Sequence, residues 1–143
     1  MSSIDLEKTF VISETGDSTG EKFTGTFVVK CLLSKREEMA ADLRRRMILG
    51  PSPDAALNSI SNDAWLVGQL SVRILRAPSW WEQSDGGLDL RDNNVLAKVF
   101  EESMKAELEY RETIAKAAEN AVAKNLAKLA EKTPGVAPTD EDD

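Results

Sequence analysis

Residues 23 to 31 alternate in character with the period of a strand. Phe23, Gly25, Phe27, Val29 and Cys31 interleave with Thr24, Thr26, Val28 and Lys30, the period of a strand with one buried face. Upstream, Thr9-Phe10-Val11-Ile12 is a short β-prone run, and residues 13–20 between the two runs are nearly all turn formers. The pair predicts a β-hairpin with a flexible tip. Two strands cannot hide an apolar face alone, so the hairpin must pack on helices or on another subunit. Gly16 and Gly20 invite comparison with a phosphate-cradling loop, but no Gly-Lys-Ser/Thr and no helix follow them.

After Leu33 the period lengthens to that of a helix. Ser34 and Glu37 form a capping box, and Met39, Leu43 and Met47 recur every four residues, which predicts a helix to Leu49 with those three on its buried side. Gly50 ends it as a left-handed cap and Pro51 prevents continuation. Arg44, Arg45 and Arg46 spread around this helix and read as a solvated face. Ser52 and Pro53 open a second helix as cap and first residue. Its face is Leu57, Ile60, Ala64 and Val67, widened by Leu66 and Leu70, so it should sit centrally. Asn62 and Gly68 are weak spots in this helix, where it could be broken in two. Residues 72–75 fit a helix or a strand equally, and Pro78 ends either.

The connector from Ala77 to Leu88 holds Trp80 and Trp81 side by side among turn residues. Either one ring buries while the other meets a partner, or both close the core. Asp85, Asp89, Asp92, Asn93 and Asn94 do not match the spacing of a calcium loop, and Asp89 or Asp92 reads better as the cap of the next helix. That helix runs from about Asp92 to Lys132 without Pro or Gly. Val95, Leu96, Val99, Phe100, Met104 and Leu108 form its first apolar face, with Glu101/Lys105, Glu107/Arg111 and Glu112/Lys116 as i,i+4 pairs on the wet side. Ala115, Ala118, Val122, Leu126 and Leu129 share a second, alanine-rich seam. At 1.5 Å per residue the element would span roughly 60 Å, more than the width of a domain this size, so its distal part is expected to project. Residues 133–143 are expected to be a disordered acidic tail.

Composition limits the chemistry. Among 143 residues there is no histidine, which removes His-based triads and His metal sites, and a single cysteine, Cys31, which removes an intrachain disulfide and a cysteine zinc cluster. Cys31 lies in an apolar run and reads as a small buried hydrophobe. The net charge is −7, of which Asp140, Glu141, Asp142 and Asp143 supply −4, leaving −3 on the rest. Such a body does not attract nucleic acid or anionic membrane. No stretch approaches the roughly 20 apolar residues of a membrane span, and the first residues lack a secretory signal, so a reducing intracellular setting is expected.

The middle of the chain resembles a known family. The residues that carry the likeness are Ala64-Trp65-Leu66, residues 70–74 (Leu-Ser-Val-Arg-Ile), Ala77-Pro78-x-Trp80-Trp81, Gly87-Leu88-Asp89-Leu90 and Asp92-Asn93-Asn94-Val95-Leu96, in that order after a strand pair and a helix ending at Gly50. The pattern is similar to small proteins encoded among the tail genes of long-tailed bacteriophages, described as tail assembly chaperones. The resemblance covers about residues 23–112. It implies a non-enzymatic protein of the host cytoplasm that keeps tail components soluble and assists tail-tube assembly around the tape-measure protein. A frameshifted longer form occurs in such families, and some small phage proteins of similar pattern are virion components.

These readings give an α+β, mainly helical fold, with an N-terminal β-hairpin packed on helices and a long C-terminal helix. The expected divisions are a strand and hairpin turn at 1–22, a core at 23–112, a projecting helix at 113–132 and a tail at 133–143. Function is expected to be protein binding, without catalytic residues, metal or cofactor. The candidate contact residues are Trp80, Trp81, Ala115, Ala118, Val122, Leu126 and Leu129, and the expected partners are tape-measure or tail-tube protein, with a homo-oligomer possible. A minor structural protein of the virion, whose hairpin adds strands to a neighbour's sheet, is the alternative.

Overall fold

The computed structural model describes residues 6–51 and 58–132. The expected cap at Ser52-Pro53, Leu57 of the second helix and the acidic tail lie outside them. The element order is β1 (Glu7–Thr15), β2 (Lys22–Lys30), α1 (Lys35–Leu49), α2 (Asn58–Arg73), β3 (Ile74–Arg76), α3 (Ser79–Gln83) and α4 (Asn93–Lys132). The strands form one antiparallel sheet in the order β1-β2-β3, and the fold is α+β with the hairpin packed on helices. The chain divides into two compact units, one ending at Tyr110 and one beginning at Arg111.

In the first unit the hairpin pairs Glu7 with Lys30 through Thr15 with Lys22. Ile12, Phe23, Phe27, Val29 and Cys31 are buried. Ile12 and Phe27 pack with Val67, Leu70, Trp81, Leu96 and Val99, Val29 and Cys31 pack with Ala106, and Phe23 meets Trp80. The core thus takes in β1, which lies before the expected boundary at residue 23. Residues 72–75 divide between both expected states: α2 ends at Arg73 and Ile74 begins β3, pairing with Val29.

The capping box at the start of α1 is present. Glu37 N–H donates to Ser34 Oγ at 3.2 Å, and Ser34 N–H donates to Glu37 Oε1 at 2.9 Å. Glu37 also accepts from Lys30 Nζ, which ties the helix start to the end of β2. At the other end Gly50 takes φ 78°, and its N–H donates to the Arg46 carbonyl.

The buried side of α1 is not the expected one. Met39, Leu43 and Met47 are 73%, 57% and 67% exposed, while Ala41 is buried. The packed series is Glu37, Ala41, Arg45 and Ile48, displaced by two residues, or about 200° around a helix of 3.6 residues per turn. Gly68 is the cause. A Cβ there would lie 2.5 Å from the Ala41 carbonyl oxygen, so α1 and α2 approach backbone to backbone, and only small residues fit at the crossing. Gly68, a weak spot in the sequence pattern, therefore joins two helices, and α2 passes through Asn62 and Gly68 unbroken. Ile60, expected on the inner face of α2, is 47% exposed.

The first half of α4 buries Val95, Leu96, Val99, Ser103 and Ala106, whereas Leu108, expected on this face, is 57% exposed. Arg73, at the end of α2, reaches this helix: its Nη1 lies 2.7 Å from Glu107 Oε1, and its Nε donates to Gln69 Oε1. Glu107 thus engages a cation from another helix, which the i,i+4 pattern does not show. On the outer side Lys98 pairs with Glu101 and Glu102, and Lys105 with Glu102.

Candidate partner-binding surfaces

The tryptophan pair belongs to the core. α3 begins after Pro78, and its single turn points the adjacent rings into neighbouring parts of one aromatic cluster. Trp81 is 4% exposed, edge-on to Phe27 at 5.5 Å. Trp80 is half-buried against Phe23 and Phe27, and its indole N–H donates to the Thr24 carbonyl at 2.9 Å. Of the two expected arrangements, this is the one in which both rings close the core. Trp81 is thus withdrawn from the surface, whereas Trp80 keeps part of its ring exposed.

The acidic cluster after the connector serves a structural bond. Asp92 is 1% exposed, and its carboxylate turns back to the hairpin tip. Oδ1 accepts from the backbone N–H groups of Ser18 (2.7 Å) and Thr19 (2.8 Å), and Oδ2 accepts from Thr19 Oγ1 at 2.6 Å. Asn94 extends the clasp, accepting from Asp17 N–H at 3.0 Å and donating to the Thr15 carbonyl at 2.8 Å. The tip expected to be flexible is thus fixed; Asp92 precedes α4 as expected of a cap, its carbonyl accepting from Val95 N–H, but its side chain holds the tip. The loop between Gly16 and Gly20 does cradle an anion, but the anion is the chain's own carboxylate. The Thr19 hydroxyl, followed by the two backbone donors, holds the Asp92 pKa below the ordinary carboxylate range. Among the described residues no group of three His, Cys, Asp or Glu side chains is placed to hold a metal ion.

Among the described residues two apolar helix faces are left uncovered. The first is the α1 stripe of Met39, Leu43 and Met47. Its rim carries Arg36 and Arg46 beside Glu38 and Asp42. Asp42 is held by Arg45 Nε at 3.0 Å and Arg46 Nε at 2.8 Å, bonds that lower its pKa. Arg44, on the opposite flank, reaches Asp85 at 3.1 Å. Arg45 and Arg46 thus converge on Asp42 while Arg44 turns to Asp85, so the three do not form one patch. The stripe's residues are legible in the sequence, but their outward direction is not.

The second face belongs to the second unit. Every residue from Arg111 to Ala130 is exposed, and Val122, Leu126 and Leu129 stand 58–62% open beside Ala115 and Ala118. No helix among the described residues is long and apolar enough to cross a membrane, so neither face reads as a bilayer contact of that kind. No family model matches the sequence, and comparisons with curated proteins and with solved structures yield no match.

Proposed function

We propose that the protein is a non-enzymatic assembly chaperone of the phage tail, which holds an apolar, helix-prone segment of the tape-measure or tail-tube protein during tail morphogenesis. The observation that carries this reading is the α1 stripe, with Met39, Leu43 and Met47 each more than half exposed on one helix face. Methionine is unbranched and adapts its shape to what it meets, and surfaces built from it accept more than one apolar partner. A partner helix laid along the stripe would find anchors at four-residue intervals. The alanine-rich seam at residues 115–129 offers shallow contacts suited to release, unlike the half-core of a permanent interface. The class of partner comes from the family resemblance.

The stripe variant Met39→Ser/Leu43→Ser/Met47→Ser is expected to bind a tape-measure fragment from the same genome at least about tenfold more weakly. Its thermal midpoint should stay within about 3 °C of the parent, since exposed positions contribute little to stability. Titration calorimetry with melting curves of both proteins measures the two quantities. Undiminished affinity would remove α1 from the binding mechanism.

One observation favours the second reading, a minor structural protein of the virion: β1 is a nine-residue edge strand to which a neighbour's sheet can add. Fixed copy number in mature particles would support that reading over the first.

A further inference from the structure

We propose that β1 is an interface between two copies of this chain, paired antiparallel about a two-fold axis through Val11. The interface is independent of the α1 stripe and rests on the hydrogen bonds of the hairpin. The Leu6 carbonyl accepts from Cys31 N–H at 2.7 Å, and Gly16 N–H donates to the Glu21 carbonyl at 2.8 Å. In this register the even-numbered residues of β1 bond to β2. Glu7, Thr9, Val11, Ser13 and Thr15 therefore turn their N–H and C=O groups to the opposite edge. Of that row the Thr15 carbonyl accepts from Asn94, and the other four make no hydrogen bond among the described residues.

An unpaired edge this long is unusual to leave without protection. The opposite edge shows the usual protection: β3 has three residues, and the register shifts beside it between Val28 and Val29. β1 has neither device, no proline, and a valine 68% exposed at its centre. Its charges are Glu7 at the outer end and, on the same face as Phe10 and Ile12, Lys8 and Glu14. Inward charges oppose pairing with an arbitrary strand, and they admit one that presents the opposite charge at each place.

β1 itself is such a strand. Antiparallel pairing about Val11 sets Lys8 against the partner's Glu14, Phe10 against the partner's Ile12 and Thr9 against the partner's Ser13. The free odd-numbered groups then bond to one another, as the ladder requires. Sliding the register by two residues places Lys8 opposite the partner's Ile12 or Phe10 opposite the partner's Glu14, which loses both ion pairs. Glu14 has no ion pair among the described residues, and the present partner of Lys8, Glu109, is half exposed and holds it weakly. The product is a continuous sheet with three strands from each copy.

The test uses the full chain. Sedimentation should give a mass of about 31 kDa, twice 15.7 kDa. Val11→Cys should form a disulfide-linked dimer on oxidation, because directly opposed strand residues lie about 5.5 Å apart, within disulfide reach. Thr9→Cys and Ser13→Cys should not link alone but should link to each other when mixed, with buried Cys31 as a silent control. Glu14→Lys should weaken the dimer at least about tenfold, and adding Lys8→Glu should restore it. A mass of 15.7 kDa at every concentration would overturn the proposal. So would a dimer in which Val11→Cys fails to link, or in which Thr9→Cys links to itself.

Discussion

Placing a methyl group on Gly16 will lower the thermal midpoint by about 10 °C or more. A Cβ at Gly16 would sit 2.2 Å from Asp92 Cγ, inside the carboxylate that the hairpin tip encloses. Gly16 is not in the left-handed region, so the cause is space and not backbone strain. The methyl must expel Asp92, and the donors of Ser18 and Thr19 then lose their acceptor. Asp92→Ala should fall by a comparable amount. Asp92→Asn should fall less, since a carboxamide oxygen still accepts both N–H bonds. The pH dependence carries a sign. A carboxyl with a folded pKa below its unfolded value contributes stability that is present above the unfolded pKa and lost as pH falls through the folded one. Asp92 is such a group. The gap between parent and Asp92→Asn should therefore be widest near neutrality and close below about pH 4. Melting curves across that range measure it, and a gap that widens in acid would contradict the clasp.

Arg73→Ala is expected to cost about 3 kcal/mol, measured by urea unfolding. The Arg73 and Glu107 side chains are only 8% and 14% exposed, with 2.7 Å between charged atoms. Removing the cation leaves a mostly buried carboxylate without its short ion pair. Replacing both groups, Arg73→Met with Glu107→Leu, should recover most of the loss, since a buried ion pair is commonly worth little more than well-packed hydrophobes. If the double variant is as unstable as Arg73→Ala, the loss arises from the contacts of the Arg73 stem and not from charge.

These two bonds also mark what was legible in the sequence. Features set by neighbouring residues could be read directly. The alternation of β2, the Ser34/Glu37 capping box and the uninterrupted pattern of α4 all appear where the pattern puts them. Asp92 with Ser18 and Arg73 with Glu107 are separated by 74 and 34 positions, and no local period connects them. The α1 error has a different origin. Two series spaced by four run along that helix, Met39-Leu43-Met47 and Glu37-Ala41-Arg45, and hydropathy favours the first. The close approach at Gly68 selects the second, because a small residue is required there more than a large apolar one. The same choice places the methionine stripe outside, so the residues that best support the proposed function came from the misread helix. At the connector, adjacency of Trp80 and Trp81 allowed an outward ring. The indole bond to Thr24 and the packing against Phe23 and Phe27 fix that ring inward.

The central claim is that exposed apolar helix faces hold a tail protein during assembly. Its most direct test is co-expression of the chain with the tape-measure protein of the same genome, followed by measurement of the tape-measure protein remaining soluble and co-purifying. The account predicts that the full chain keeps it soluble, that the Met39/Leu43/Met47 serine variant and a chain lacking residues 115–143 do so less well, and that the protein is absent from purified mature particles. A tape-measure protein that stays insoluble with the full chain, together with fixed copy number of this protein in mature particles, would contradict it.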